Sequence, residues 1–170
     1  MANESNILDL QHPAFAPPNA SSEAVRNISA ALNALLADVF ALFIKTKNFH
    51  WHMSGPHFRD FHLMLDDHAD QLFSITDEVA ERVRKIGGTT IRSIGQIARL
   101  KNVADNDADF VAPATMLAEL YQDERALASS MLSVHELCAS ASDVATASLL
   151  ENWIDQSQRR SWFLLESIRT

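Results

Sequence analysis

With 170 residues, 47% of them apolar, the chain can build one domain around a substantial core. Four glycines and five prolines are too few for the many tight turns of an all-β fold, and they favour long helices. A net charge of −8 repels nucleic-acid phosphate on average, so DNA binding would need a local basic patch.

The N-terminal stretch MANESNILDLQ lacks the basic and apolar regions of a signal peptide. No uninterrupted apolar run is long enough for a membrane span. The single Cys138 cannot form an internal disulfide, and reads as a buried thiol in a reducing cytosol. Residues 1–20, with HPAFAPPN and the acids Glu4 and Asp9 but no Lys or Arg, read as an extended arm. Residues 21–170 read as the folded domain.

Ser21 or Ser22 can cap a first helix, with Glu23 in its opening turn. From Val25 to Trp51, Ile28, Leu32, Leu35, Leu36, Val39, Leu42 and Phe43 recur at three- and four-residue steps, the period of an amphipathic helix. MSGP at Met53–Pro56 breaks it, and Pro56 suits the first position of a second helix reaching Ile86. That helix has the expected core stripe Phe58, Phe61, Leu65, Ala69, Leu72, Phe73, Thr76 and Val83, and Gly87–Gly88 ends it. A connection follows, with a short helix over Ser93–Leu100 and an acidic loop over 101–109. A third helix is expected over Ala112–Cys138. A fourth spans Asp143–Ile168, with Leu149, Leu150, Ile154, Trp162, Phe163 and Leu165 turned inward. The expected fold is all-α, a four-helix bundle with a short helix in the crossover between its second and third long helices.

Four of the seven histidines, His50, His52, His57 and His62, fall between Lys47 and Asp67, and His68 follows. At about 100° per residue from His62, Asp66 lies near about 40°, Asp77 near about 60° and Glu81 near about 100°. These four potential metal ligands share one arc beside the apolar stripe. His62 and Asp66 are one turn apart, as are Asp77 and Glu81, but the two pairs are separated by about 22 Å along the axis. One straight helix cannot close them on one ion. A two-fold axis across the helix near Gln71 or Leu72 would lay Asp77 and Glu81 of one chain against His62 and Asp66 of another, making two identical sites. His50, before the turn, should stand level with His62. Imidazole and carboxylate without thiolate suit Fe(II), Mn(II) or Zn(II).

These features resemble the Dps-type miniferritins (DNA protection during starvation proteins). The carriers are NFHWHMSGPHFRDFHLMLDD at Asn48–Asp67, DEVAERVRKIGG at Asp77–Gly88 and ENWIDQSQRRSWFL at Glu151–Leu164. The spacing of His50, His62, Asp66, Asp77 and Glu81 is similar to that of the family's ferroxidase ligands. The resemblance implies a ferritin-like bundle in a hollow dodecamer. It implies intersubunit sites holding two irons each, oxidation of Fe(II) preferably by hydrogen peroxide instead of oxygen, and ferric mineral stored inside. It also implies that Trp51 serves as an electron donor limiting radical escape. Zn or Mn could substitute for Fe. No histidine has a Glu three residues before it, so the intrasubunit di-iron pattern of larger ferritins is absent.

Other residues have plainer readings. His52 and His57 suit the turn or an interface, His68 the surface or an interface, and Asp70 a position beside the ligands or an interface ion pair. Asp143 is either a pore-lining acid or an ordinary N-terminal helix charge. Arg92, Arg99, Lys101, Arg159 and Arg160 are scattered, and the arm is acidic, so DNA binding is expected to be weak or absent. The expected location is the cytoplasm, with the nucleoid as an alternative. Two competing functions are a DNA-compacting protein with secondary iron chemistry and a helical assembly holding structural zinc.

Overall fold

The computed structural model describes residues 21–169, so the arm lies outside the described residues. Five helices appear: α1 (Ser22–His52), α2 (Phe58–Lys85), α3 (Ile94–Leu100), α4 (Pro113–Ser140) and α5 (Val144–Ile168). There is no strand among the described residues. α1 packs on α2 and α4 on α5, forming two hairpins. The crossover joins them and sets α3 against α1, while α2 meets α5 only thinly.

The helix ends follow local chemistry. Ser21 caps α1 by accepting the Ala24 N–H at 3.1 Å. Gly55, at φ +94°, makes the turn into α2, and the Phe58 N–H donates to its carbonyl at 3.0 Å. Pro56 therefore sits inside this turn and not at the first helical position, and α2 starts two residues later than the sequence suggests. Gly87, at φ +91°, ends α2: its N–H donates to Arg84 O at 3.0 Å, and that of Gly88 to Val83 O at 2.9 Å. That pair of bonds is a Schellman cap. Ser93 caps α3, and Pro113 opens α4 at its first turn.

The core runs through Ile28, Leu32, Leu35, Leu36, Val39, Leu42, Leu65, Leu72, Ile75, Val79, Val83, Leu117, Leu120, Met131, Leu150, Trp153 and Leu164. Cys138 is buried within it, and burial pushes its thiol up to about 12. α1 is long and apolar enough by length and composition to cross a membrane, but half of its most apolar stretch is buried in the bundle. Buried along the same helix, Asp38 accepts from the main-chain N–H groups of Asn102 and Val103 and ties the crossover to α1.

Four residues expected in the core are not there. Phe58, Phe73, Trp162 and Phe163 are exposed, with Phe73 at 55% and Trp162 at 60%. Phe73 and Trp162 lie more than half exposed, while Phe58 and Phe163 touch His62 and His68 at the edge of the bundle. Conversely, His68, expected at the surface or an interface, is buried within the chain between α2 and α5.

Candidate metal centre at the α1–α2 turn

The antiparallel α1–α2 hairpin places His50 beside His62. The two rings stack with centroids 3.7 Å apart. His50 Nδ1 lies 2.7 Å from the His62 carbonyl oxygen, and His62 Nδ1 lies 2.9 Å from that of His50. A carbonyl can only accept, so each Nδ1 carries the proton and donates. In a neutral ring this fixes the tautomer and leaves Nε2 with a free lone pair. His62 also satisfies a carbonyl in the last turn of α1, where helical partners run out.

Asp66, one turn after His62, brings its Oδ1 to 3.7 Å from His50 Nε2. Lys47, on α1 one turn before His50, reaches the same oxygen at 2.5 Å. The Lys47 hydrogen bond and charge, with the charges of His50 and His62, hold the Asp66 carboxyl below the usual carboxylate range. Sequence periodicity missed Lys47, although its position three residues before His50 placed it on the same helical face.

The structure does not bring Asp77 and Glu81 to this cluster. Both are exposed further along α2, and Glu81 instead accepts from Lys85 at 2.9 Å. No group of three or more His, Cys, Asp or Glu side chains among the described residues is arranged to hold a metal within one chain. Trp51, next to His50, is 60% exposed and lines a 480 Å³ pocket with His52 and Asp105. His52 turns its Nδ1 to the Asn48 carbonyl, and His57 packs near Phe61.

Asp143 has a structural role. It is buried, accepts from the Thr146 N–H as the α5 N-cap, and takes an Arg82 Nη2 bond at 2.7 Å. With Arg82 Nε on Thr146 Oγ1 at 2.6 Å, this network clamps the end of α2 to the start of α5. Glu151 pairs with His135 at 3.2 Å.

Residues 29–170 match the ferritin-like domain family. A DNA protection during starvation protein of Halobacterium salinarum is 35% identical over 71% of this chain and 66% of its own length. The chain belongs to the Dps-type miniferritins. A low temperature-induced protein of Nostoc sp. is also related, at 32% identity over 78% of this miniferritin and 75% of its own length. Among solved structures, Dps from Thermosynechococcus elongatus superposes with a TM-score of 0.85, at 23% identity, covering 88% of this chain and 94% of that one. DpsC from Streptomyces coelicolor reaches 0.87 at 24% identity, covering 97% and 96%. The fold is the ferritin-like four-helix bundle with a short helix in its crossover.

Proposed function

We propose that this miniferritin oxidises Fe(II) at sites shared between two chains and stores the ferric product. His50, His62 and Asp66 would come from one chain, and Asp77 and Glu81 from its partner. The observation that carries this reading is the reciprocal hydrogen bonding of His50 and His62, which commits both Nδ1 atoms to carbonyls, leaves the Nε2 atoms for a ligand, and sets that of His50 3.7 Å from the Asp66 carboxylate. Two histidines made to order each other's Nδ1 are arranged to ligate.

The two-fold pairing has physical support. Phe73 and Ile94 are exposed, and between them α1, α2 and α3 form a 620 Å³ groove that also contains Asp77. A second copy placed there would cover apolar surface and carry its own Asp77 toward the first chain's His62. Such pairs would build the dodecamer.

In the reaction, two Fe(II) ions are substrates. His50 and His62 hold the first, and Asp66, Asp77 and Glu81 bind and bridge. Binding through Asp66 Oδ1 requires Lys47 to move off that oxygen. Hydrogen peroxide takes one electron from each iron and, with two protons, leaves as two waters. Paired electrons keep hydroxyl radical from forming. Oxygen is the other possible acceptor. Trp51, adjacent to the ligand His50, would donate an electron to any stray oxidant. Ferric iron then hydrolyses and is stored, which protects DNA chemically without coating it. The domain that does this is 21–170, the arm 1–20 adds little DNA affinity, and the protein works in the cytoplasm.

The test is anaerobic Fe(II) loading of metal-free protein followed by stoichiometric peroxide, with ferric absorbance and radical trapping as readouts. Fast, radical-poor oxidation that His62→Ala and Asp77→Ala each abolish is expected. Oxidation no faster than that of free Fe(II), unchanged by both variants, would refute it. A gel shift at low and physiological salt tests DNA compaction as the main activity.

A further inference from the structure

Trp51 and Trp162 are each 60% exposed, but Trp153 on α5 is 1% exposed and belongs to the core. A buried indole has one polar group to satisfy, its Nε1–H donor. Trp153 donates it across the bundle to Glu78 Oε2 on α2, at 2.8 Å. Glu78 is exposed and directly follows Asp77 in the chain. A short path therefore runs from Asp77, across one peptide unit of about 3.8 Å and along the Glu78 side chain, to a ring inside the core. Packing explains why a large ring is buried here, yet a phenyl ring would fill a core without a polar atom to satisfy. An indole whose only N–H already points at a carboxylate is arranged to lose an electron and that proton together.

We propose that Trp153 is a second electron donor at the shared iron site, with Glu78 as the acceptor of its proton. The proposal rests on the shared-site reading, in which one chain supplies His50, His62 and Asp66 and the other supplies Asp77 and Glu81. The two donors then come from different chains: Trp51 accompanies His50, and Trp153 accompanies Asp77. A donor is needed when peroxide meets a site holding a single Fe(II). That iron gives one electron, which leaves Fe(III), hydroxide and a hydroxyl radical. The radical takes one electron from Trp153 and becomes hydroxide, while the indole N–H proton passes to Glu78 Oε2. The products are a neutral indolyl radical and a protonated Glu78. A later Fe(II) returns the electron as it becomes Fe(III), and Glu78 returns the proton. Burial shields the ring from solvent in the interval.

The experiment uses full-length, assembled protein in a Trp51→Phe/Trp162→Phe background, where Trp153 is the sole remaining indole. One Fe(II) per site is loaded, peroxide is added, and the mixture is frozen for electron paramagnetic resonance with ring-deuterated tryptophan. Ferric absorbance and hydroxyl-radical trapping run in parallel. The same background, metal-free, is oxidised by a flash-excited soluble electron acceptor, which reads the protonation state of the radical without iron. Both preparations should give a neutral indolyl radical. Glu78→Gln should convert it to the protonated cation radical, since an amide oxygen keeps the hydrogen bond but takes up no proton. Trp153→Phe should abolish the signal and raise trapped hydroxyl radical several-fold. Melting curves check each variant, and the near-isosteric Glu78→Gln on the surface carries the test should Trp153→Phe loosen the core. Fast iron oxidation with no Trp153 signal, or a signal that Glu78→Gln leaves unaltered, overturns the proposal and leaves the shared site standing. Iron oxidation no faster than that of free Fe(II) refutes the shared-site reading, and the proposal falls with it.

Discussion

Replacing Glu124 by Leu should destabilise the protein by about 3–5 kcal/mol, because it leaves a buried guanidinium uncompensated. Glu124 is 2% exposed and Arg160 0%, and the carboxylate grips the guanidinium through two bonds at 2.6 and 3.0 Å. Ser157 adds a third bond to the same carboxylate at 2.7 Å. Glu124→Leu removes all three acceptor contacts at once, and Arg160 already has one unpaired nitrogen. The double variant Glu124→Leu/Arg160→Met removes the charge as well. It should cost little or even stabilise, since apolar side chains of similar volume often match a buried ion pair. The assay is urea unfolding by circular dichroism in phosphate-free buffer, at fixed protein concentration, with sedimentation confirming the same assembly state. A single variant costing less than about 1 kcal/mol would show that the pair is not desolvated in solution. A double variant as unstable as the single one would show that packing, not charge, holds this part of α4 to α5.

Gly88→Ala would place a methyl 2.2 Å from Ser29 Oγ and 2.9 Å from Val83 Cγ1, so melting should show a loss of about 1–3 kcal/mol. With its thiol pushed up to about 12 by burial, Cys138 should resist thiol reagents at pH 8 and react fully in denaturant; rapid native labelling would contradict its burial. Lys47→Met should return the Asp66 carboxyl toward its ordinary value of 3.8, read by carbon NMR titration of metal-free protein. The sign follows from the depressed native value. The Lys47 contribution is present above 3.8 and is lost as pH falls through the lower native value, so the variant should have no such step. An unchanged Asp66 titration would show that Lys47 does not engage it in solution.

The long helices were legible because apolar residues recur at a helical period and because Ser21 and Gly87 mark ends by local chemistry. The level placement of His50 and His62 followed from counting residues on each side of one short turn. Periodicity failed at Phe58, Phe73, Trp162 and Phe163, because an apolar residue can face another chain as readily as its own core. The buried ion networks were illegible for another reason. Arg82 finds Asp143 across 61 residues and Arg160 finds Glu124 across 36, while the Asp38 carboxylate accepts from the main-chain N–H of Val103 across 65. Such pairings depend on the finished topology, and each residue alone reads as surface charge. The same limit hid His68, which lies off the ligand arc and reads as surface or interface, and Lys47, whose contact with Asp66 forms only when α1 and α2 are side by side.

The most direct test of the shared site mixes His62→Ala and Asp77→Ala chains, each inactive alone, by joint unfolding and refolding. In a mixed pair, one site carries both substitutions and the other carries neither. Random pairing therefore restores about a quarter of the sites. The shared-site account predicts peroxide-driven iron oxidation recovering to about that fraction of wild type. Well-assembled mixtures that remain as inactive as either variant alone would contradict it.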